Sequence, residues 1–228
     1  MRKNNLPKIK AFFDNITFTV MAPSQVALNL WGKAFPLNLA DSHIVPHVNL
    51  VPVNSVSRKN TSDKILNVAF VGIPANHKGW KTWRKLVDRN IKSSNYRFFH
   101  FGNDGGKFPE KFIKVNVTQN TRDDMINALR SNNIDLLFHW AICPETFSYT
   151  LYEGIAANCF ILTYKNSGNV AKYVLDTGSG VVFNDDHQFF QYMDDVSNVR
   201  KELKGYLQRN SSPFQLERNN VVSIRYYS

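Results

Sequence analysis

The sequence predicts an α/β protein whose main body, residues 56–210, is a Rossmann-like doubly wound parallel sheet covered by helices on both faces. Three observations carry this. The runs at 66–71, 96–101, 135–140 and 159–164 are almost continuously apolar, as strands buried on both faces must be. Helical patterns separate them, which is the order of βαβ crossovers. The first two runs end at a glycine, Gly72 and Gly102, where ligands gather in such sheets.

The elements follow in order. Residues 1–55 differ from the rest. The segment 16–21 alternates like a strand, Ala22-Pro23-Ser24 is a turn, and Ser24 is an N-cap for a helix over 25–34. A short extended piece spans 44–48, and the polar stretch 54–64 is a linker or exposed loop. The main body then predicts a strand at 66–71, a helix at 78–90 and a strand at 96–101. Next come a strand at 112–117, a helix at 122–131, a strand at 135–140 and a helix at 148–157. A strand at 159–164, a helix at 169–175 and a strand at 180–183 complete the alternation. The chain is then helical to about residue 208, and 211–228 is a tail.

Composition narrows the function. The chain has 228 residues, 43% of them hydrophobic, enough for a sizeable core. Its net charge is +10, which suits an anionic substrate, an anionic membrane surface or nucleic acid. The positive residues are scattered and no zinc-finger or aromatic RNA-binding pattern is present, so nucleic-acid binding is not expected. Cys143 and Cys159 have no metal or redox spacing, and no histidine stands at metal-ligand spacing from carboxylates, so no metal is expected. Residues 1–5 lack the apolar run of a signal peptide, and no stretch approaches the roughly 20 apolar residues that span a bilayer. The expectation is a cytoplasmic protein, at most in peripheral contact with an anionic membrane.

The chemistry concentrates in Pro144-Glu145-Thr146-Phe147-Ser148-Tyr149-Thr150-Leu151-Tyr152-Glu153-Gly154. Only five glutamates occur in the chain, and two of them stand here eight residues apart. Glu145 falls in a loop and Glu153 about one turn into a helix. The start of that helix offers unpaired N–H groups and the positive end of its dipole, which suits a diphosphate. A carboxylate one turn in can accept hydrogen bonds from both hydroxyls of a ribose. Taken alone, the same residues also fit plainer roles. Thr150-x-x-Glu153 matches a capping box, and Glu145 could be a solvated loop acid. Paired carboxylates for hydrolysis would have to flank one bond, and nothing in the sequence points to that.

In context, Glu145-x7-Glu153 resembles the signature of retaining nucleotide-sugar glycosyltransferases of the GT-B fold, the glycosyl transferases group 1 family. The order strand, proline-glutamate loop, helix, small-residue turn, strand over 134–164 is similar throughout. The resemblance implies that the chain is the C-terminal, donor-binding lobe, with 1–55 a remnant of the N-terminal lobe and Pro46-His47 at the crossing. It implies that Glu145 contacts the donor sugar, that Glu153 holds the ribose, and that backbone amides from Phe147, Ser148, Tyr149 and Thr150 cradle the phosphates. Gly72 to Gly79 resembles the family's Gly-Arg-x-x-x-x-Lys-Gly, in which both cations neutralise the leaving diphosphate. Lys78 keeps its place and Ile73 replaces the arginine. Gly102 and Asn103, after His100, would lie near the nucleotide base. Ser167-Gly168-Asn169 stands at a glycine turn near the donor sugar, and Ser148 stands where glycine is usual. The implied partners are a nucleoside-diphosphate sugar, a glycan or lipid-linked acceptor and a separate N-terminal-lobe partner, with no cofactor. The rival readings are a non-catalytic nucleotide-sugar-binding subunit or degenerate relative, and a sugar-nucleotide epimerase of the same fold.

Overall fold

A computed structural model describes residues 6–34, 40–53, 65–105, 108, 110–210 and 214–219. The linker expected at 54–64 and most of the expected tail lie outside the described residues. By compactness the chain divides into Met1–Asn49 with Arg218–Ser228, and Leu50–Glu217.

In the first unit, helix α1 (Leu6–Phe13) precedes strand β1 (Thr19–Ala22), helix α2 (Gln25–Ala34) and strand β2 (Asp41–Ile44). The expected cap is present: the Ser24 hydroxyl accepts from the Ala27 N–H at 3.0 Å. β1 and β2 pair in parallel, Thr19 opposite Asp41. Strand β3 (Val48–Pro52) pairs with the last strand, Phe214–Arg218, and the division between units falls within both.

The second unit holds the parallel sheet. Its strands are β4 (Leu66–Val71), β5 (Tyr96–Gly102), β6 (Lys111–Lys114), β7 (Leu136–His139), β8 (Phe160–Tyr164) and β9 (Gly180–Phe183). They lie in the order β6-β5-β4-β7-β8-β9, all parallel. The connecting helices are α3 (Trp80–Asn90), α4 (Asp124–Ser131), α5 (Tyr149–Ala156) and α6 (Asn169–Thr177). Helices α7 (Asp186–Asp194) and α8 (Val196–Arg209) close the unit, and the final strand Phe214–Arg218 is β10.

Strand alternation sorts the core into two layers. Leu136, Phe138 and Trp140 join Phe70, Trp83, Leu86, Phe183, Phe189 and Leu203, so α3, α7 and α8 cover one face. Leu137 and Ile161 face the other way, towards α5, where Gly154 lets the helix approach: a Cβ there would meet Leu137 Cδ2 at 2.3 Å. His139 shares that second face. The basic, aromatic helix α3 is a core helix. Trp83 is buried among Phe70, Phe98 and Phe138, and Lys81 and Lys85 form its wet side. Arg84 reaches the buried Glu110 at 2.7 Å, and the Trp83 indole N–H donates to the same carboxylate at 3.1 Å.

The order of strands creates the crevice. From β4 the chain steps outward through β5 to β6, then returns to place β7 on the opposite side of β4. The loops after β4 and β7 therefore leave neighbouring strands in opposite directions, and the gap between them opens at the carboxyl edge of the sheet.

Candidate functional site

Two loops meet at that gap. After β4, Asn76–Lys78 forms a 3-10 turn that ends at Gly79 in the left-handed region, φ 80°. Helix α3 starts only at Trp80, so Lys78 lies in the turn before the helix and not in its first residue as the sequence pattern predicts. The glycine is required by space as well as by φ, because a Cβ would meet the Trp140 carbonyl at 2.3 Å. The Ile142 N–H donates to the His77 carbonyl at 3.0 Å, tying this turn to the loop after β7.

That second loop carries Glu145. It is held by a parallel bridge to Gly168, in which the Asn169 N–H donates to the Glu145 carbonyl at 2.8 Å and the Glu145 N–H to the Ser167 carbonyl at 3.3 Å. The Ser167 hydroxyl donates to the Ala141 carbonyl at 2.9 Å. So positioned, Glu145 Oε1 accepts from Lys78 Nζ at 2.5 Å. The Lys78 side chain is 41% exposed and that of Glu145 19%. Glu145 explains why a cation is tolerated close to a helix start.

Helix α5 follows. Ser148 is its N-cap, the hydroxyl accepting from the Leu151 N–H at 3.4 Å and lying 2.7 Å from His139 Nε2. The Ser148 side chain therefore points inwards and leaves the mouth of the site clear. Burial drives the His139 imidazole down to about 4, with the Lys78 charge adding to the effect and the Glu145 charge opposing it. A neutral imidazole can accept from the Ser148 hydroxyl, and the chain Leu151 N–H, Ser148 O–H, His139 then fixes the helix start.

Glu153 lies in the second turn of α5 and is buried, 8% exposed. Its carboxylate has no hydrogen bond or ion pair with any described residue, so the capping box of Thr150 and Glu153 does not form. Burial alone pushes this carboxyl up to about 7. A buried carboxylate left without donors is costly, and such groups cluster where a ligand completes them.

The remaining predicted residues occupy the same sheet edge. Phe147 stacks on Tyr152 at 4.9 Å and meets the exposed Tyr149 edge-on at 5.3 Å. Thr150 is half-buried in the first turn of α5. Gly72, φ 117°, accepts from His100 Nε2 at 2.8 Å, and Gly102 packs beneath it. Asn103 is exposed, and no hydrogen bond or ion pair among the described residues joins Gly102 or Asn103 to Lys78 or Glu145. Ile73, at the position of the family's arginine, is 73% exposed. Sequence reasoning missed the role of Gly79, which depends on a contact with a distant segment. His139, just before the glutamate loop, reads from the sequence as a donor-pocket residue or a plainly hydrogen-bonded strand-end histidine, and the structure shows the hydrogen bond, to Ser148.

Among the described residues there is no group of three or more His, Cys, Asp or Glu side chains able to hold a metal ion. No helix among them is long and apolar enough to cross a membrane.

No family model matches the sequence, and no curated protein matches it. Solved structures do. HepE of Anabaena, crystallised with UDP and glucose and also with UDP-glucose, superposes with a TM-score of 0.62 at 14% identity over 100% of this chain. A glycosyltransferase of Rickettsia africae gives 0.61 at 13% over 92%. Sucrose-phosphate synthase of Thermosynechococcus elongatus gives 0.54 at 15% over 92%. This chain spans 66%, 63% and 61% of those three chains, less than two thirds of their length. The six-stranded parallel sheet with its flanking helices is thus the fold of GT-B-like glycosyltransferases.

Proposed function

We propose that the chain is the donor-binding lobe of a retaining glycosyltransferase, moving a sugar from a nucleoside diphosphate to a glycan or lipid-linked acceptor. The observation that carries this reading is Glu153, a buried carboxylate without a protein partner, placed eight residues and one helix turn beyond a Glu145 already paired to a lysine. Two ribose hydroxyls would supply the donors Glu153 lacks. The diphosphate would lie across the start of α5 and take Lys78 from Glu145, leaving Glu145 to accept from the sugar hydroxyls. As the glycosidic bond breaks, negative charge builds on the leaving diphosphate, and Lys78 stabilises it. On this reading the first unit is a remnant of the acceptor-binding lobe. A separate partner supplies the rest of the cleft wall, and the basic chain works at the cytoplasmic face of an anionic membrane in polysaccharide synthesis.

The test is a thermal-shift titration with UDP, GDP, ADP and TDP. UDP comes first, since HepE was crystallised with UDP and UDP-glucose. Saturation at a hundred times the dissociation constant should stabilise the chain by about 2.7 kcal/mol. Lys78→Ala and Glu153→Ala should each weaken binding roughly 10- to 100-fold, the cost of a charge-assisted contact. A wild-type chain that melts cooperatively and shifts with none of the four nucleotides would defeat the proposal.

A second reading, nucleotide-sugar binding without turnover, is favoured by one observation, the exposed Ile73 where the family places its second cation. It predicts that Ile73→Arg raises affinity for the matching nucleoside diphosphate by about 10-fold. An unchanged affinity in isothermal titration would show that no cation is missing there.

A further inference from the structure

Beside the Lys78–Glu145 pair, among the loops that end β7, β8 and β9 and the starts of α3 and α7, lies a concavity of about 630 Å3. Gly79 and Ile142 form its near wall, one residue from Lys78 and three from Glu145. Its volume is that of a small-molecule site.

The chemistry of the wall is uneven. Trp140 is 2% exposed, and its ring stacks with Phe138 at 5.5 Å and with Tyr164 at 5.3 Å. Its indole N–H nevertheless donates to no described residue, although it borders the concavity. The N–H is not a fully buried donor, so it stays open to the concavity, where water or a ligand oxygen can accept from it. The Asn76 amide and the Lys81 ammonium on the same wall also have no hydrogen bond or ion pair among the described residues. Also on the wall, Asp185 spends one oxygen on the Gln188 N–H at 2.8 Å, and Asp186 accepts from the Thr82 hydroxyl at 3.1 Å. Lys85 stands 3.6 Å from the same Asp186 carboxylate.

Donors and acceptors thus share a wall with the aromatic residues Trp140 and Tyr164. Asp185 and Asp186 are balanced by Lys81 and by the Lys85 that stands on Asp186, so the wall has no surplus positive charge to hold a phosphate. A neutral polyol fits, because each hydroxyl both donates and accepts, and its C–H face can lie on the half-buried Tyr164 ring. We infer that this concavity is a saccharide-binding cleft; its role as the place of a glycan acceptor rests on the donor-site reading above.

The experiment uses the full chain and a panel of maltose, cellobiose and lactose, with saturation-transfer NMR as readout at about 10 mM sugar, a concentration that detects millimolar affinity. Trp140→Phe keeps an aromatic ring in the stack and removes the indole N–H together with part of the ring, and Asn76→Ala changes an exposed side chain. At least one disaccharide should bind, and each variant should weaken it about 3- to 10-fold, the worth of one hydrogen bond. The UDP-induced shift should stay as in the wild type in both variants and the melting temperature in Asn76→Ala, while Trp140→Phe should melt somewhat lower for the core volume it loses. No binding by any of the three sugars, or binding that survives both variants, overturns the cleft. Sugar binding without any nucleotide-induced shift would instead overturn the donor reading and leave the cleft standing.

Discussion

Glu153→Gln should make the protein more stable at pH 8 and a poorer nucleotide binder at the same time. The carboxyl of Glu153 is pushed from its ordinary range up to about 7 by burial. The native state therefore holds this proton more tightly than the unfolded chain, and its contribution is fully present only below about pH 4.5. As pH rises through 7 the native state must carry an uncompensated buried charge, which costs roughly 3 kcal/mol. Glutamine removes that penalty. The variant should melt on the order of 5–10 °C higher than the wild type at pH 8, with the difference closing in acid. Nucleotide affinity should fall roughly 10- to 100-fold with the loss of the charged acceptor. A variant that melts lower than the wild type at pH 8 would mean that the carboxylate is already satisfied.

His139 works in the opposite sense over nearly the same range. Its imidazole is held down to about 4, so the unfolded chain binds the proton first and stability is lost as pH falls from 6.5 towards 4. In the wild type the two gradients oppose each other, and this pair leaves stability almost flat between about pH 4.5 and 6.5. Glu153→Gln should expose the histidine's slope, with melting temperature rising with pH across that window. The same linkage gives a ligand signature. If ribose hydroxyls stabilise the Glu153 carboxylate, nucleotide binding at pH 6 must release protons, which calorimetry in two buffers of different ionisation enthalpy reads directly.

Gly168→Ala should cost several kcal/mol and displace Glu145. Gly168 has φ 66° and ψ −124°, a combination that only glycine adopts readily. A Cβ would also stand 2.6 Å from both the N and O atoms of Glu145. Those are backbone atoms, which cannot rotate aside as a side chain can. The bridge that holds the glutamate loop would open, at about 2–4 kcal/mol for strain and overpacking together. Gly178→Ala is the control. Its φ is 62°, but nothing lies within 4 Å of the added methyl, so it should cost only about 1 kcal/mol. Chemical denaturation of both variants separates backbone conformation from collision. Equal losses would show that the close approach to Glu145 contributes nothing.

The sheet was legible because its evidence is local. The segment 135–140 is apolar at nearly every position and becomes β7, Leu136–His139; the segment 148–157 becomes α5, Tyr149–Ala156, with Ser148 as its cap. The right-handed crossover rule decides the face on which each connecting helix lies but not the order of the strands, so the switch beside β4 was not legible. Four elements did not show. α1 lies in a stretch with no cap residue or clear period, β10 is a five-residue strand in an apparent tail, and the pattern at 44–48 straddles the gap between β2 and β3. The site was legible as a list of residues but not as a set of contacts. Lys78 and Glu145 are 67 residues apart, and no spacing rule says that they pair. The same holds for Ser148: a hydroxyl in place of glycine can face the ligand or the core, and only the register that puts His139 beneath it decides.

The ion pair between Lys78 and Glu145 has a consequence for selectivity and turnover on the proposed reading. An empty site that supplies its own counter-ion presents no naked charge. Inorganic phosphate must evict a carboxylate to enter and offers nothing to Glu153 in return, so the abundant anion of the cell is a poor competitor. A donor sugar repays the eviction twice, with ribose hydroxyls for one glutamate and sugar hydroxyls for the other. Once the sugar has left, Glu145 loses its new partners and is drawn back to Lys78, and the spent nucleotide is pushed out by the resting state of the protein itself.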